Sequence, residues 1–152
     1  MFIHKVCQAL NTAKVSYAIV GGYAVALHGI IRGTVDIDLV INWKLDNLLK
    51  VEVILKNLGL VSRLPLDAKN VFLFREEYIN NRNLIAWNFY DPLNAVNQVD
   101  IIINYDLKGA KTKTVNDGQT KIQILSKNDL IAMKKSSGRP QDLVDIEALE
   151  NL

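Results

Sequence analysis

Apolar residues recur along the chain with two different periods, and the changes of period mark out its elements. Ile3, Val6, Cys7 and Leu10 keep the spacing of a single helix face, which predicts a first helix over residues 2–14. A short apolar run, Val15 to Val20, then reads as a brief buried strand that runs into Gly21-Gly22. Tyr23 to Gly29 is rich in alanine and reads as a helix stopped by Gly29. Val35 to Ile41 is the second strand. Leu45 to Leu58 returns to helical spacing and closes at Gly59, with Asp46 in the first turn, where a negative charge suits the helix dipole.

The middle of the chain is rich in β-formers. Val71-Phe72-Leu73-Phe74, Leu84 to Phe89 and Val99 to Ile103 are read as strands, with Asn80-Asn81-Arg82-Asn83 and Asp91-Pro92-Leu93-Asn94 as the turns between them. Lys108 to Gly118 is polar and reads as a loop with a short strand, and Thr120 to Leu125 alternates as another strand. Ser126-Lys127-Asn128-Asp129 is a variant capping box that opens a helix ending near Gly138. Arg139-Pro140 starts a last helix, with proline at the first position, where its missing N–H costs little. The order predicts an α+β, or mixed α/β, fold around one central sheet flanked by helices, and residues 1–152 read as a single domain.

Composition narrows the class without naming it. The chain has 152 residues, of which 49% are hydrophobic and 22% charged, enough for a real core. A net charge of +2 gives no general argument for nucleic-acid or membrane binding. The single cysteine, Cys7, excludes an internal disulfide and a cysteine-built zinc site, and its apolar neighbours predict a buried, inert thiol. No apolar run is long enough to cross a bilayer and the N-terminus lacks the layout of a signal peptide, so a cytoplasmic protein is expected.

The candidate chemistry lies in the acids. In Val35-Asp36-Ile37-Asp38-Leu39-Val40 two aspartates fall on one face of a strand that otherwise belongs in a core. Like charges there are costly unless a cation compensates them, and magnesium, which favours carboxylate oxygens and keeps open positions for phosphates, is the natural candidate. The plain alternative is a strand with two solvent-facing aspartates. Asp100 repeats the arrangement in Gln98-Val99-Asp100-Ile101-Ile102. If the two strands are neighbours, three carboxylates converge and can hold two metal ions about 3.5–4 Å apart. Gly21-Gly22 lies between a strand and a helix, where backbone N–H groups can approach a phosphate; a tight turn without a ligand is the alternative. His28 reads equally as a packed helix residue or a site residue. Arg32 suits a bidentate contact to phosphate, or a salt bridge to Asp36 or Asp38, and Thr34 suits a local hydrogen bond into the strand. Lys134 and Arg139 read either as triphosphate contacts or as a basic, solvated helix junction beside Asp142 and Asp145.

Taken together these residues resemble the nucleotidyltransferase superfamily that includes DNA polymerase beta. Its pattern is an apolar residue and Gly-Gly, a spacer, then Asp-x-Asp, matched here by Val20-Gly21-Gly22 and Asp36-Ile37-Asp38, with Asp100 in the place of the third acid. Within the superfamily the likeness is to AbiEii-type toxins, matched at Gly21, Gly22, Ala24, His28, Gly29, Arg32, Thr34, Asp36 and Asp38. Downstream the likeness continues at Lys134, Arg139, Asp142 and Asp145. Gln141 departs from the basic residue common there, and such toxins carry an additional C-terminal helical domain, so a minimal transferase core is expected, its acceptor site in its own loops or on a partner protein.

The resemblance implies transfer of a nucleoside monophosphate from an NTP to an acceptor hydroxyl with release of pyrophosphate. Asp36, Asp38 and Asp100 are the implied catalytic and metal-binding residues, for two Mg2+ ions or Mn2+ in their place. Gly21, Gly22, Arg32, Thr34, Lys134 and Arg139 are the implied nucleotide contacts. The acceptor is left open among a small hydroxylated molecule, a tRNA end and a protein side chain, and segment 61–98 with Trp87, Phe89 and Tyr90 is the expected acceptor region. Lys108, Lys111, Lys113, Lys121 and Lys127 form a basic stretch suited to RNA or simply to solvent. The competing class is a non-catalytic nucleotide-binding or antitoxin-like partner module. No membrane association is expected.

Overall fold

The structure is a computed structural model that describes residues 1–31, 33 and 36–152. Its seven strands form one mixed sheet in the order β3-β4-β5-β2-β1-β7-β6. The chain runs α1 (Phe2–Thr12), β1 (Tyr17–Val20), α2 (Gly21–Leu27), β2 (Ile37–Ile41), α3 (Leu45–Asn57), β3 (Val61–Ser62), α4 (Ala68–Leu73) and α5 (Arg75–Arg82). It continues through β4 (Ala86–Asp91), β5 (Asn94–Ile102), β6 (Thr112–Asp117), β7 (Thr120–Leu125), α6 (Lys127–Ser137) and α7 (Pro140–Glu150). The α+β class with helices against a mixed central sheet is the one the sequence predicts. Among the described residues no helix is long and apolar enough to cross a membrane.

The centre of the sheet is buried on both sides, and apolar except where Asp38 and Asp100 lie. β1 is buried at all four positions, and Ile37, Leu39, Val40 and Ile41 of β2 are fully buried. Helix α1 buries Ile3, Val6, Cys7 and Leu10, the stripe its sequence spacing predicts. Polar contacts then fix its place over the β6–β7 hairpin: His4 Nε2 lies 2.7 Å from Asp117, and the Gln8 amide donates to Thr120 Oγ1 at 2.9 Å. Cys7 is buried, and burial pushes its thiol up to about 11, in keeping with an inert side chain.

Four sequence expectations are corrected here. Val71 to Phe74 is not a strand: residues 68–73 form α4, N-capped by Asp67, whose carboxylate accepts from the Asn70 N–H at 2.8 Å. The cap and the burial of Ala68 and Val71, three residues apart, outweigh the β-propensity of the run. Asn80 to Arg82 is helical as well, and the turn falls on Asn83 alone, which ends α5 in the left-handed conformation at φ +52°. Finally, α2 begins at Gly21 instead of Tyr23, and β2 begins at Ile37, so Asp36 precedes the strand.

The later boundaries agree closely with the sequence. β7 spans Thr120–Leu125, Ser126 caps α6 by accepting from the Asp129 N–H, and Gly138 closes α6 at φ +65°. β4 and β5 pair as a hairpin through the expected Asp91–Asn94 turn, where Asp91 accepts from the Leu93 N–H at 2.9 Å.

Candidate active site

Strand pairing brings the acids together. β2 and β5 run parallel, in a register that sets Asp38 beside Asp100, while β1 runs antiparallel to β2 with Val20 opposite Asp38. The side chains on this face of adjacent strands meet directly. Two carboxylates are therefore held side by side at the centre of the sheet. Burial, above all, pushes the Asp38 carboxyl up to about 7, reinforced by the charge of Asp100, a hydrogen bond with Asp100 and the charge of Asp36; Arg139 opposes the rise.

The turn after β1 is fitted to this pair. Gly21 adopts φ +67°, and a Cβ there would run into the Asp38 carboxylate. Only glycine allows the backbone to leave β1 at this angle and pass so close to the acid. Across β5, the Asn88 side-chain amide on β4 donates to Asp100 Oδ1 at 2.8 Å and to Gln98 Oε1 at 3.1 Å. Sequence reading missed Asn88; its signal is a polar residue between the buried Trp87 and Phe89, which alternation puts on the opposite face of the strand, the face of Asp100.

A cavity of about 600 Å³ opens over the acids. Asp38, Asp100 and Gly21 form its floor, and Leu130, Met133 and Tyr105 are among its walls. Burial raises the pKa of the Tyr105 hydroxyl, and the Asp129 charge adds to the rise. Tyr105 and its neighbour Asn104, which also lines the cavity, carried no motif and were not singled out from sequence.

Of the other expected residues, some reach this cavity and some do not. Lys134 lines it, but its ammonium is committed to Asp145 Oδ2 at 2.9 Å and Asp142 Oδ1 at 3.6 Å, all three side chains being almost fully buried. Arg139 also lines it, with its guanidinium forked onto Asp142 at 2.9 and 3.2 Å and 72% of its side chain exposed. Asp142 completes a capping box with Arg139 at the start of α7, and Gln141 donates to Asp145 at 3.1 Å. The basic helix junction read from sequence is thus a buried ionic cluster, closed by acids of the next helix. His28 caps α2 and its Nε2–H donates to the Leu125 carbonyl at 2.9 Å, which ties α2 to the end of β7 and answers the His28 alternatives in favour of packing. Arg32 and Thr34 lie outside the described residues. Trp87 and Phe89 are core residues in contact at 4.7 Å between ring centroids, so they cannot meet an acceptor; from segment 61–98 it is Ile85 and Ala86 that line the cavity. Tyr90 carries Arg63 over its ring at 4.5 Å.

Of the three expected carboxylates, strand pairing fixes Asp38 and Asp100 side by side. Among the described residues no three His, Cys, Asp or Glu side chains gather as a metal cage. Asp36 precedes the β2 ladder, so strand pairing does not fix it beside the other two, and it acts on Asp38 through its charge. The donor chemistry nevertheless fits a hard divalent cation: two adjacent oxygen ligands whose mutual repulsion a cation would relieve, at the floor of a cavity.

A glycine turn beside an acid on one strand, with a second acid on its parallel neighbour, sets the class: the fold is that of nucleotidyltransferases. The chain belongs to the family described as nucleotidyltransferase of unknown function (DUF6036), whose model matches residues 2–151. Among solved structures it is similar to an antigenic nucleotidyltransferase-like protein from Paracoccidioides brasiliensis, with 23% identity and a TM-score of 0.60 over 97% of this chain and 72% of that one. It is also similar to ANT(2'')-Ia in complex with adenylyl-2''-tobramycin, at 15% identity and a TM-score of 0.62 over 97% and 84% of the two chains. A third is the lincosamide antibiotic adenylyltransferase LnuA bound to lincomycin, at 18% identity and a TM-score of 0.64 over 98% and 94%. At these identities the likeness is one of fold. No curated protein matches the chain.

Proposed function

We propose that the protein is a magnesium-dependent nucleotidyltransferase of the cytoplasm that moves a nucleoside monophosphate from an NTP to an acceptor hydroxyl and releases pyrophosphate. The observation that carries this reading is the register of β2 against β5, which sets Asp38 beside Asp100 on the floor of a cavity bordered by Gly21. Asp38 and Asp100 would hold the cation, with Asp36 adding its charge. Magnesium, or manganese, supplies charge neutralisation of the triphosphate and of the attacking and leaving oxygens. Asp100 is positioned to accept the proton of the acceptor hydroxyl. Gly21 keeps the backbone close to the acids, where an approaching phosphate meets N–H groups instead of a side chain. Among the described residues, Arg139, largely exposed at the cavity wall, is the cation best placed to meet the triphosphate, whereas Lys134 acts by holding α6 and α7 together.

Catalysis in such a site is chiefly positioning and electrostatics. The near-neutral net charge and the size of the cavity favour a small hydroxylated acceptor over a tRNA end or a protein side chain. The two antibiotic-bound neighbours support that class, though they share only the fold with this chain. The AbiEii-type likeness read from sequence belongs to the same proposal, and a tRNA end and a protein side chain are its other acceptor classes.

Isothermal titration with each of the four NTPs, with and without Mg2+, tests the reading. Magnesium-dependent binding of at least one nucleotide is expected, and Asp38→Asn should abolish it. Binding that survives unchanged in Asp38→Asn would overturn the assignment of the acid pair and favour a non-catalytic nucleotide-binding module.

A further inference from the structure

Asp100 is not held by the sheet alone. Its Oδ1 accepts from the Asn88 side-chain amide at 2.8 Å, and the same NH2 group donates to Gln98 Oε1 at 3.1 Å. A carboxamide has one donor end and one acceptor end, and which end faces the acid decides whether it steadies or repels the carboxylate. Here the other end is specified. Arg63 Nε, which can only donate, meets Asn88 Oδ1 at 2.8 Å. Two further contacts anchor Arg63. Its backbone N–H donates to the Asn88 carbonyl at 3.0 Å, and its guanidinium stacks over the Tyr90 ring at 4.5 Å. Gln98 is fixed in turn, donating its own NH2 to the Ala95 carbonyl at 2.9 Å.

We infer that Arg63 and Asn88 are positioning residues for Asp100: Arg63 fixes the amide orientation of Asn88, and Asn88 pins Oδ1 of Asp100 so that its other oxygen is presented to a divalent cation shared with Asp38. The inference rests on the metal-site reading proposed above. It gives a role to a side-chain contact that lies outside the cavity, between residues that the end of the β3–β4 ladder sets opposite each other. Neither residue touches the reacting groups. They act through the geometry of one carboxylate, as the outer partners of metal ligands do, and such partners carry roughly 10–100-fold in metal affinity or activity.

The test is titration of the full chain with Mn2+ alone, followed by electron paramagnetic resonance of free and bound ion, for wild type, Asp38→Asn, Asn88→Leu and Arg63→Leu. Thermal melting in chelator runs alongside. Wild type is expected to bind Mn2+ and Asp38→Asn to lose it. Asn88→Leu should weaken binding by about tenfold or more, within the range of such outer partners, and change the spectrum of the bound ion. Arg63→Leu, an exposed position whose replacement leaves the core intact, should shift affinity in the same direction by less, with its melting temperature in chelator close to wild type. Wild-type protein that binds no Mn2+ would overturn the metal-site reading itself. If wild type binds and both variants match it in affinity and spectrum, the metal site stands and the positioning role of Arg63 and Asn88 falls.

Discussion

At Gly21 one hydrogen atom separates a working turn from a collision. The residue combines φ +67° with a Cα that faces the Asp38 carboxylate, so Gly21→Ala meets both a strained backbone and a steric overlap. Strain of this kind is worth on the order of 1–3 kcal/mol. The expected outcome is a loss of that order in urea unfolding together with loss of Mn2+ binding, since Asp38 must move away. Gly22→Ala, measured in the same way, is the comparison, because Gly22 has no positive φ. The sequence singles out both glycines as an approach for phosphate. It does not reveal that Gly21 answers to Asp38, because that follows from Val20 lying opposite Asp38 across β1 and β2, a cross-strand register that the sequence pattern leaves open. Asn88 was hidden for the same reason: its meaning depends on Asp100 being its cross-strand partner.

At the scale of elements, the features legible in the sequence are those that local chemistry decides. The Ser126 cap, the Gly138 stop and the apolar stripe of α1 need no distant partner, and each falls where the sequence puts it. The 71–74 run was misread because its apolar residues serve a short helix whose cap, Asp67, lies upstream of the pattern, and because the Ala68 N–H finds a distant acceptor in Glu52 at 3.1 Å. The α6–α7 junction reads from sequence either as triphosphate contacts or as a solvated basic turn, whereas its acids are buried and face Lys134. That difference is measurable. Lys134→Met leaves Asp142 and Asp145 buried without their shared cation, and breaking a buried pair from one side costs about 3–5 kcal/mol. Urea denaturation should register a loss of that size. If Lys134 instead served only a nucleotide, stability would be unchanged and nucleotide affinity alone would fall.

For the whole molecule, the acid pair predicts how stability depends on pH. Asp38 is raised to about 7 in the folded state and returns to the ordinary carboxylate range when the chain unfolds. The folded protein therefore binds the extra proton at intermediate pH, so the contribution is fully present below about pH 4 and is lost as pH rises through about 7. With chelator present, this site should lower stability between pH 5 and pH 8 by a few kcal/mol at most. Melting curves across that range read the slope, and Asp38→Asn should flatten it. Millimolar Mg2+ should also flatten it in wild type, because a ligand that binds only the folded state stabilises it by mass action. A slope unaffected by either change would mean that Asp38 is not held in this environment.

The parallel pairing of β2 with β5 carries a consequence for how the chain comes to work. Asp38 leaves the ribosome long before Asp100, and β3, β4 and three helices lie between the two acids in the chain. Such late, non-local closure is slow compared with the formation of helices and hairpins. During that interval β2 presents an apolar edge that carries the Asp38 charge, a segment ill-suited to premature pairing with a neighbouring chain. The carboxylate proposed to hold the cation thus acts earlier as a guard against aggregation, and the acid pair is complete only once β5 has docked beside β2.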